Sequence, residues 1–140
     1  MISKVKYNGN LRTEAHHLSS GKTIITDAPK DNEGKGEAFS PTDLVATALA
    51  SCLLTIMGIV AKRSKLDILG TTAEVEKIMG SNPRRIKEIK IRILFKKSIN
   101  IKDRDKLERA AKTCPVSMSL NSNLNEVTKQ KKKGSRNTSK

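Results

Sequence analysis

The sequence predicts an α+β domain with antiparallel β-sheets around a long buried central helix, on three observations. Leu44–Ala61 is an uncharged stretch of 18 residues in a chain where 30% of residues are charged. Alternating runs that read as strands flank it on both sides. A charged helical segment follows the last of them, giving the order β-rich, long helix, β-hairpin, helical end.

Residues 2–8 and 11–18 alternate as strands, with a turn expected at Asn8-Gly9-Asn10, because Asn and Gly tolerate positive φ. Ser19-Ser20-Gly21 turns the chain again into a third strand, Lys22–Ala28. A polar loop, Pro29 to Phe39, then delivers it to Ser40-Pro41-Thr42-Asp43, which reads as a helix start. Ser40 can cap the first turn, Pro41 loses nothing at the first helical position, and Asp43 places negative charge at the positive end of the dipole.

The helix that follows carries Leu44, Val45, Ala48, Leu49, Leu53, Ile56, Met57 and Val60 on several faces, as expected of an element buried in a core or a bilayer. Eighteen residues containing Thr47, Ser51, Thr55 and Gly58 are short for a membrane span, and no membrane association is expected. Beyond it, an extended run is expected over Leu66–Met79 with a bend at Gly70. After the turn Gly80-Ser81-Asn82-Pro83, Ile89, Ile91, Ile93 and Phe95 alternate with Lys90, Arg92, Leu94 and Lys96, the pattern of a strand with one buried face. Helix signals return at Asp103, with Leu107, Ala110 and Ala111 as an apolar stripe, and break at Thr113-Cys114-Pro115. Pro115 suits the first turn of a short helix, PVSMSLNS, which puts Cys114 at or next to its N-cap. A weak strand is expected at Asn123–Thr128.

At 140 residues the chain reads as one domain over 1–128, followed by a disordered basic tail over 129–140. With 36% hydrophobic residues and only Tyr7, Phe39 and Phe95 aromatic, the core is small for so apolar a helix, and a second copy of the chain is expected to complete its burial. The net charge of +14 is spread over the tail, Lys62-Arg63-Lys65 and Arg84 to Lys97. Without interleaved aromatics or a docking motif, this reads as solvated faces rather than a nucleic-acid site. The first residues, MISKVKYNGN, hold no signal-like apolar segment, so the cytoplasm is expected, where two cysteines read more readily as reactive thiols than as a structural bridge.

A cysteine in a buried helix is commonly an inert small hydrophobe, and that reading stands beside a reactive one for Cys52. Cys114, at a helix start, is expected to have its thiolate favoured by unpaired N–H groups and the dipole. His16 and His17 stand on a strand facing opposite ways, and without further ligand spacing neither a metal nor another cofactor is expected. Leu53, Met57 and Met118 would suit either the walls of an apolar pocket or plain core packing.

The segment SPTDLVATALASC resembles the central-helix signature of the OsmC/Ohr superfamily, and CPVSMSL resembles its second cysteine motif. The likeness covers roughly residues 4 to 128, and the Pro-Thr-Asp-Leu helix start is closest to the family's small branch, many of whose members have no established activity. What the resemblance implies is an OsmC-like fold, an intertwined homodimer, and a thiol-dependent peroxidase that reduces organic hydroperoxides in oxidative-stress protection. Cys52 would be the peroxidatic thiolate and Cys114 the resolving thiol, with a dithiol as reductant. The family pairs the thiolate with an arginine, often steadied by a glutamate ten residues before the first cysteine. That position here is Thr42. Arg12 is the arginine expected to serve, though as a residue it also reads as an exposed strand charge; Arg63 and Arg104 are further candidates. Ser117 stands where members commonly have histidine, and Glu37 precedes the helix closely enough to contact a site. The alternative is a family member without peroxidase activity, with another thiol role or a binding role for its basic surface.

Overall fold

The computed structural model describes residues 1–120 and 123–130, and they form two compact units, Met1–Val45 and the chain from Ala46 onward. The α+β class is as expected.

The first unit is a three-stranded antiparallel meander of β1 (Ser3–Gly9), β2 (Arg12–His17) and β3 (Thr23–Asp27). Its first turn falls later than expected. Gly9 pairs with Arg12 across a register shift after Tyr7, and Asn10 and Leu11, both at positive φ, make the bend. Asn8-Gly9 therefore feeds the irregularity rather than forming the turn. Leu11 holds a conformation that L-residues rarely adopt, with its N–H donated to the Tyr7 hydroxyl at 3.3 Å. From β3 the chain runs to a reciprocal capping box. Asp43 N–H donates to Ser40 Oγ at 3.0 Å, and Ser40 N–H to the Asp43 carboxylate at 2.9 Å. Helix α1 starts there and spans Pro41–Arg63.

In the second unit, β4 (Thr72–Gly80) and β5 (Arg85–Leu94) form an antiparallel hairpin, and β6 (Asn125–Gln130) adds to the other side of β5. The expected all-antiparallel arrangement holds for three strand pairs; β6 runs parallel to β5. Helices α2 (Ile101–Ala111) and α3 (Pro115–Ser119) lie between β5 and β6 in sequence, and this long helical connection allows the parallel return. Strand β4 begins only at Thr72, because the chain from Leu66 is irregular and turns at Leu69-Gly70, with Gly70 at positive φ. Strand β6 continues to Gln130, past the boundary expected at residue 128, and residues 131–140 of the expected tail lie outside the described residues.

One core organises this unit. Ala46, Leu49, Ala50, Leu53, Met57 and Ala61 of α1 pack with Ile89, Ile91 and Ile93 of β5, Leu107 and Ala111 of α2, and Cys114. The buried positions of α1 recur at helical spacing along one stripe, so the helix is not enclosed on every side: Val45 and Ile59 are exposed. By length and composition α1 is long and apolar enough to cross a membrane, a test that the core helix of a globular domain also passes, and six of its residues are taken up by the core.

Helix α2 starts earlier than the Asp103 signal because Asn100 caps it, accepting the Asp103 N–H at 2.8 Å. Arg104, buried on this helix, donates to the carbonyls of Ile99 at 2.7 Å and Lys96 at 2.9 Å, and its guanidinium lies over the Phe95 ring. These contacts tie the loop after β5 to the start of α2.

Candidate functional site

Cys114 is fully buried, and its sulfur is the N-cap acceptor of α3, taking the Ser117 N–H at 3.2 Å. The expected helix start is therefore present, with Pro115 in its first turn. The expected electrostatic outcome is not. Burial pushes the Cys114 thiol above its ordinary range, and this outweighs the N–H groups of Ser117 and Val116, which act in the opposite direction. Cys52 adds to the rise through a thiol hydrogen bond and through its charge. A helix of five residues has too little dipole to offset the loss of water around the sulfur.

The two cysteines, 62 positions apart in sequence (114 − 52), are thus brought together within one unit. Both are free thiols, and Cys52 is half-buried on α1 against the core that contains Cys114. Such a pair can hold a proton on the inner sulfur, expose the outer one to a small reactant, and close to a disulfide.

Arg12 lies in the other unit, on β2, with a bidentate hold on Asp27: Nε to Oδ1 at 2.7 Å and Nη2 to Oδ2 at 2.8 Å. Nη2 also reaches Glu37 at 3.0 Å. The Asp27 side chain is fully enclosed and further accepts the Glu37 N–H at 3.1 Å. The Arg12 hydrogen bonds hold the Asp27 carboxyl below the usual carboxylate range against the cost of burial, and the same pairing raises Arg12. Arg12 is therefore no ordinary exposed strand charge. Asp27 escaped the sequence reading, although it sits opposite Arg12 in the β2–β3 register and would have been found by aligning the two strands.

The remaining candidates divide clearly. Arg104 is engaged by two carbonyls and a ring, and Arg63 is exposed in the last turn of α1. Thr42 bonds its hydroxyl to Ser40 at the helix cap. His16 and His17 bond Thr23 and Ser20, respectively. Leu53 and Met57 belong to the core, whereas Met118 is exposed. Ser117, which departs from the histidine common at this place in the family it resembles, donates its hydroxyl to Glu126 of β6 at 2.6 Å, a partner the sequence did not suggest.

The profile of the OsmC-like protein family matches residues 34–128, a segment that contains both cysteines and their helices. The chain belongs to this family. A protein of known structure from Psychrobacter arcticus, described as a candidate osmotic stress induced and detoxification response protein, is 51% identical, with a TM-score of 0.90 over 94% of this chain and 96% of that one. An organic hydroperoxide resistance protein from Legionella pneumophila is 17% identical, with a TM-score of 0.74 over 93% and 96% of the two chains. An OsmC-like protein of unknown function from Vibrio cholerae is 14% identical, with a TM-score of 0.77 over 91% and 96%. The latter two likenesses bear on the fold alone. No curated protein matches the chain.

Proposed function

We propose that this OsmC-like protein is a thiol peroxidase that reduces organic hydroperoxides and protects against oxidative stress. The observation that carries the reading is the pairing of Cys52 and Cys114 as free thiols within one unit, with Cys114 kept protonated by burial. In the first step the Cys52 sulfur attacks the terminal peroxide oxygen. The O–O bond breaks, the alkoxide leaves as the alcohol after protonation, and Cys52 becomes a sulfenic acid. Cys114 then attacks that sulfur, water leaves, and a disulfide forms. A dithiol returns both residues to thiols by exchange. No step calls on a metal or an organic cofactor.

Arg12 is proposed, on the family resemblance, as the cation that favours the Cys52 thiolate. Asp27 and Glu37 supply it with carboxylates even though Thr42 stands at the family's glutamate position. A homodimer is proposed as well, because α1 leaves apolar side chains such as Ile59 exposed. The cytoplasm is the proposed compartment, as its reducing poise suits a recycled thiol pair.

The test is intact-mass analysis after slightly more than one equivalent of cumene hydroperoxide is added to the reduced protein, with hydrogen peroxide in parallel. Rapid loss of two hydrogens, mapped to a Cys52–Cys114 bond and faster with the organic peroxide, is expected. Slow overoxidation without a disulfide would overturn the reading and leave a family member with another role. Arg12→Ala is expected to slow the loss of the Cys52 thiol; an unchanged rate removes Arg12 from the proposal.

A further inference from the structure

Helix α3 has only five residues, too few to be stable on its own, so something outside it must hold the first turn against Cys114. The hydrogen bonds show what does. Ser117 faces two ways: its backbone N–H donates to Cys114 Sγ at 3.2 Å, and its side-chain hydroxyl donates to Glu126 Oε1 at 2.6 Å. Glu126 sits on β6 opposite Ile89, a fully buried residue of β5, and β6 is fastened further by Asn125 Nδ2 donating to Glu88 at 3.1 Å. A hydroxyl bonded to a carboxylate is short and about twice as strong as a neutral pair. The sheet thus reaches the resolving sulfur through one side chain.

We propose that Glu126 and Ser117 are a positioning pair that aims the Cys114 sulfur at oxidised Cys52, with Glu126 anchoring Ser117 and Ser117 directing its N–H onto the sulfur. This rests on the reading of the two cysteines as a redox pair. In the step concerned, the S–O bond of the Cys52 sulfenic acid breaks as the S–S bond forms. The Cys114 proton leaves with the departing hydroxyl as water. The attacking sulfur must lie in line with the breaking bond, and a displacement on the order of 1 Å can cost about 100-fold in rate. Among the described residues, the titratable groups that bear on Cys114 are Cys52 from α1 and, through Ser117, Glu126 from β6.

Two measurements on the full chain test this. In a Cys52→Ser background, the pH profile of Cys114 alkylation by iodoacetamide is followed for Ser117→Ala, Glu126→Ala and the double variant. Ser117→Ala is expected to move the midpoint upward, since the N–H bond to sulfur is weakened. Glu126→Ala weakens the same bond but also removes a negative charge, which acts downward, so its rise should be smaller, and the double variant should not exceed Ser117→Ala. Ser117→Thr, which keeps the hydroxyl, should restore the original midpoint, and Glu126→Gln, a weaker acceptor, should fall between. An unchanged midpoint in Ser117→Ala, or a downward one from mere opening to water, overturns the proposal.

In the two-cysteine chain, Ser117→Ala and Glu126→Ala should slow disulfide formation after cumene hydroperoxide about tenfold or more, while loss of the Cys52 thiol keeps its rate. Equal slowing of both steps would also overturn the proposal. If the unsubstituted chain forms no disulfide with peroxide, the peroxidase reading fails, and the alkylation profiles still decide the positioning role.

Discussion

Asp27 and Cys114 are buried to the same degree, exposing 1% and 0% of their surface, yet their surroundings drive them in opposite directions. Around Asp27 an arginine and a backbone N–H compensate the carboxylate, so it stays charged below the usual range. Around Cys114 the N–H groups of Ser117 and Val116 are outweighed by burial, and the neighbouring thiol of Cys52 adds to it, so the sulfur keeps its proton. The lesson is that burial does not set a group's charge; the partners supplied with it do. A clamped ion pair is a fixed structural element. A neutral thiol beside a second thiol keeps a sulfur that can still react.

Removing a sulfur should break the second arrangement completely. Neither Cys52→Ser nor Cys114→Ser should form the peroxide-driven disulfide, and a sulfenic acid should accumulate in Cys114→Ser, visible by dimedone capture and mass. Next in size is Asp27→Ala, which leaves Arg12 without its bidentate partner and the Glu37 N–H without its acceptor. It should lower the urea midpoint more than any other polar truncation in the first unit.

The same comparison gives two limbs of a pH–stability profile. Asp27 has its folded pKa depressed, so its contribution is present above the ordinary carboxylate range and is lost as the pH falls through the folded value, below about pH 4. Cys114 has its folded pKa raised, so stability falls as the pH climbs above the ordinary thiol value of 9.0. Denaturation followed across pH should show both limbs, with Asp27→Asn flattening the acid one and Cys114→Ala the alkaline one. The smallest effect belongs to Glu37→Gln. Its side chain is 66% exposed, and the loss should be about 0.5 kcal/mol or less, shrinking further with salt in urea titrations.

What the sequence determined by itself was whatever neighbours along the chain decide. The Ser40–Asp43 box and the Cys114 cap on Ser117 join residues three apart. The alternation of Ile89, Ile91 and Ile93 declares one buried face. The two cysteine motifs pointed to the family before any coordinates did. What only the tertiary structure decided depends on residues far apart in the chain: which stripe of α1 is covered and the parallel return of β6. Arg12 found Asp27 and Glu37, 15 and 25 positions away, through strand register and a loop. The protonation of Cys114 is the sharpest case. A dipole argument can be made from five residues, whereas desolvation comes from every group that displaces water around the sulfur, and those groups are assembled only when the chain has folded.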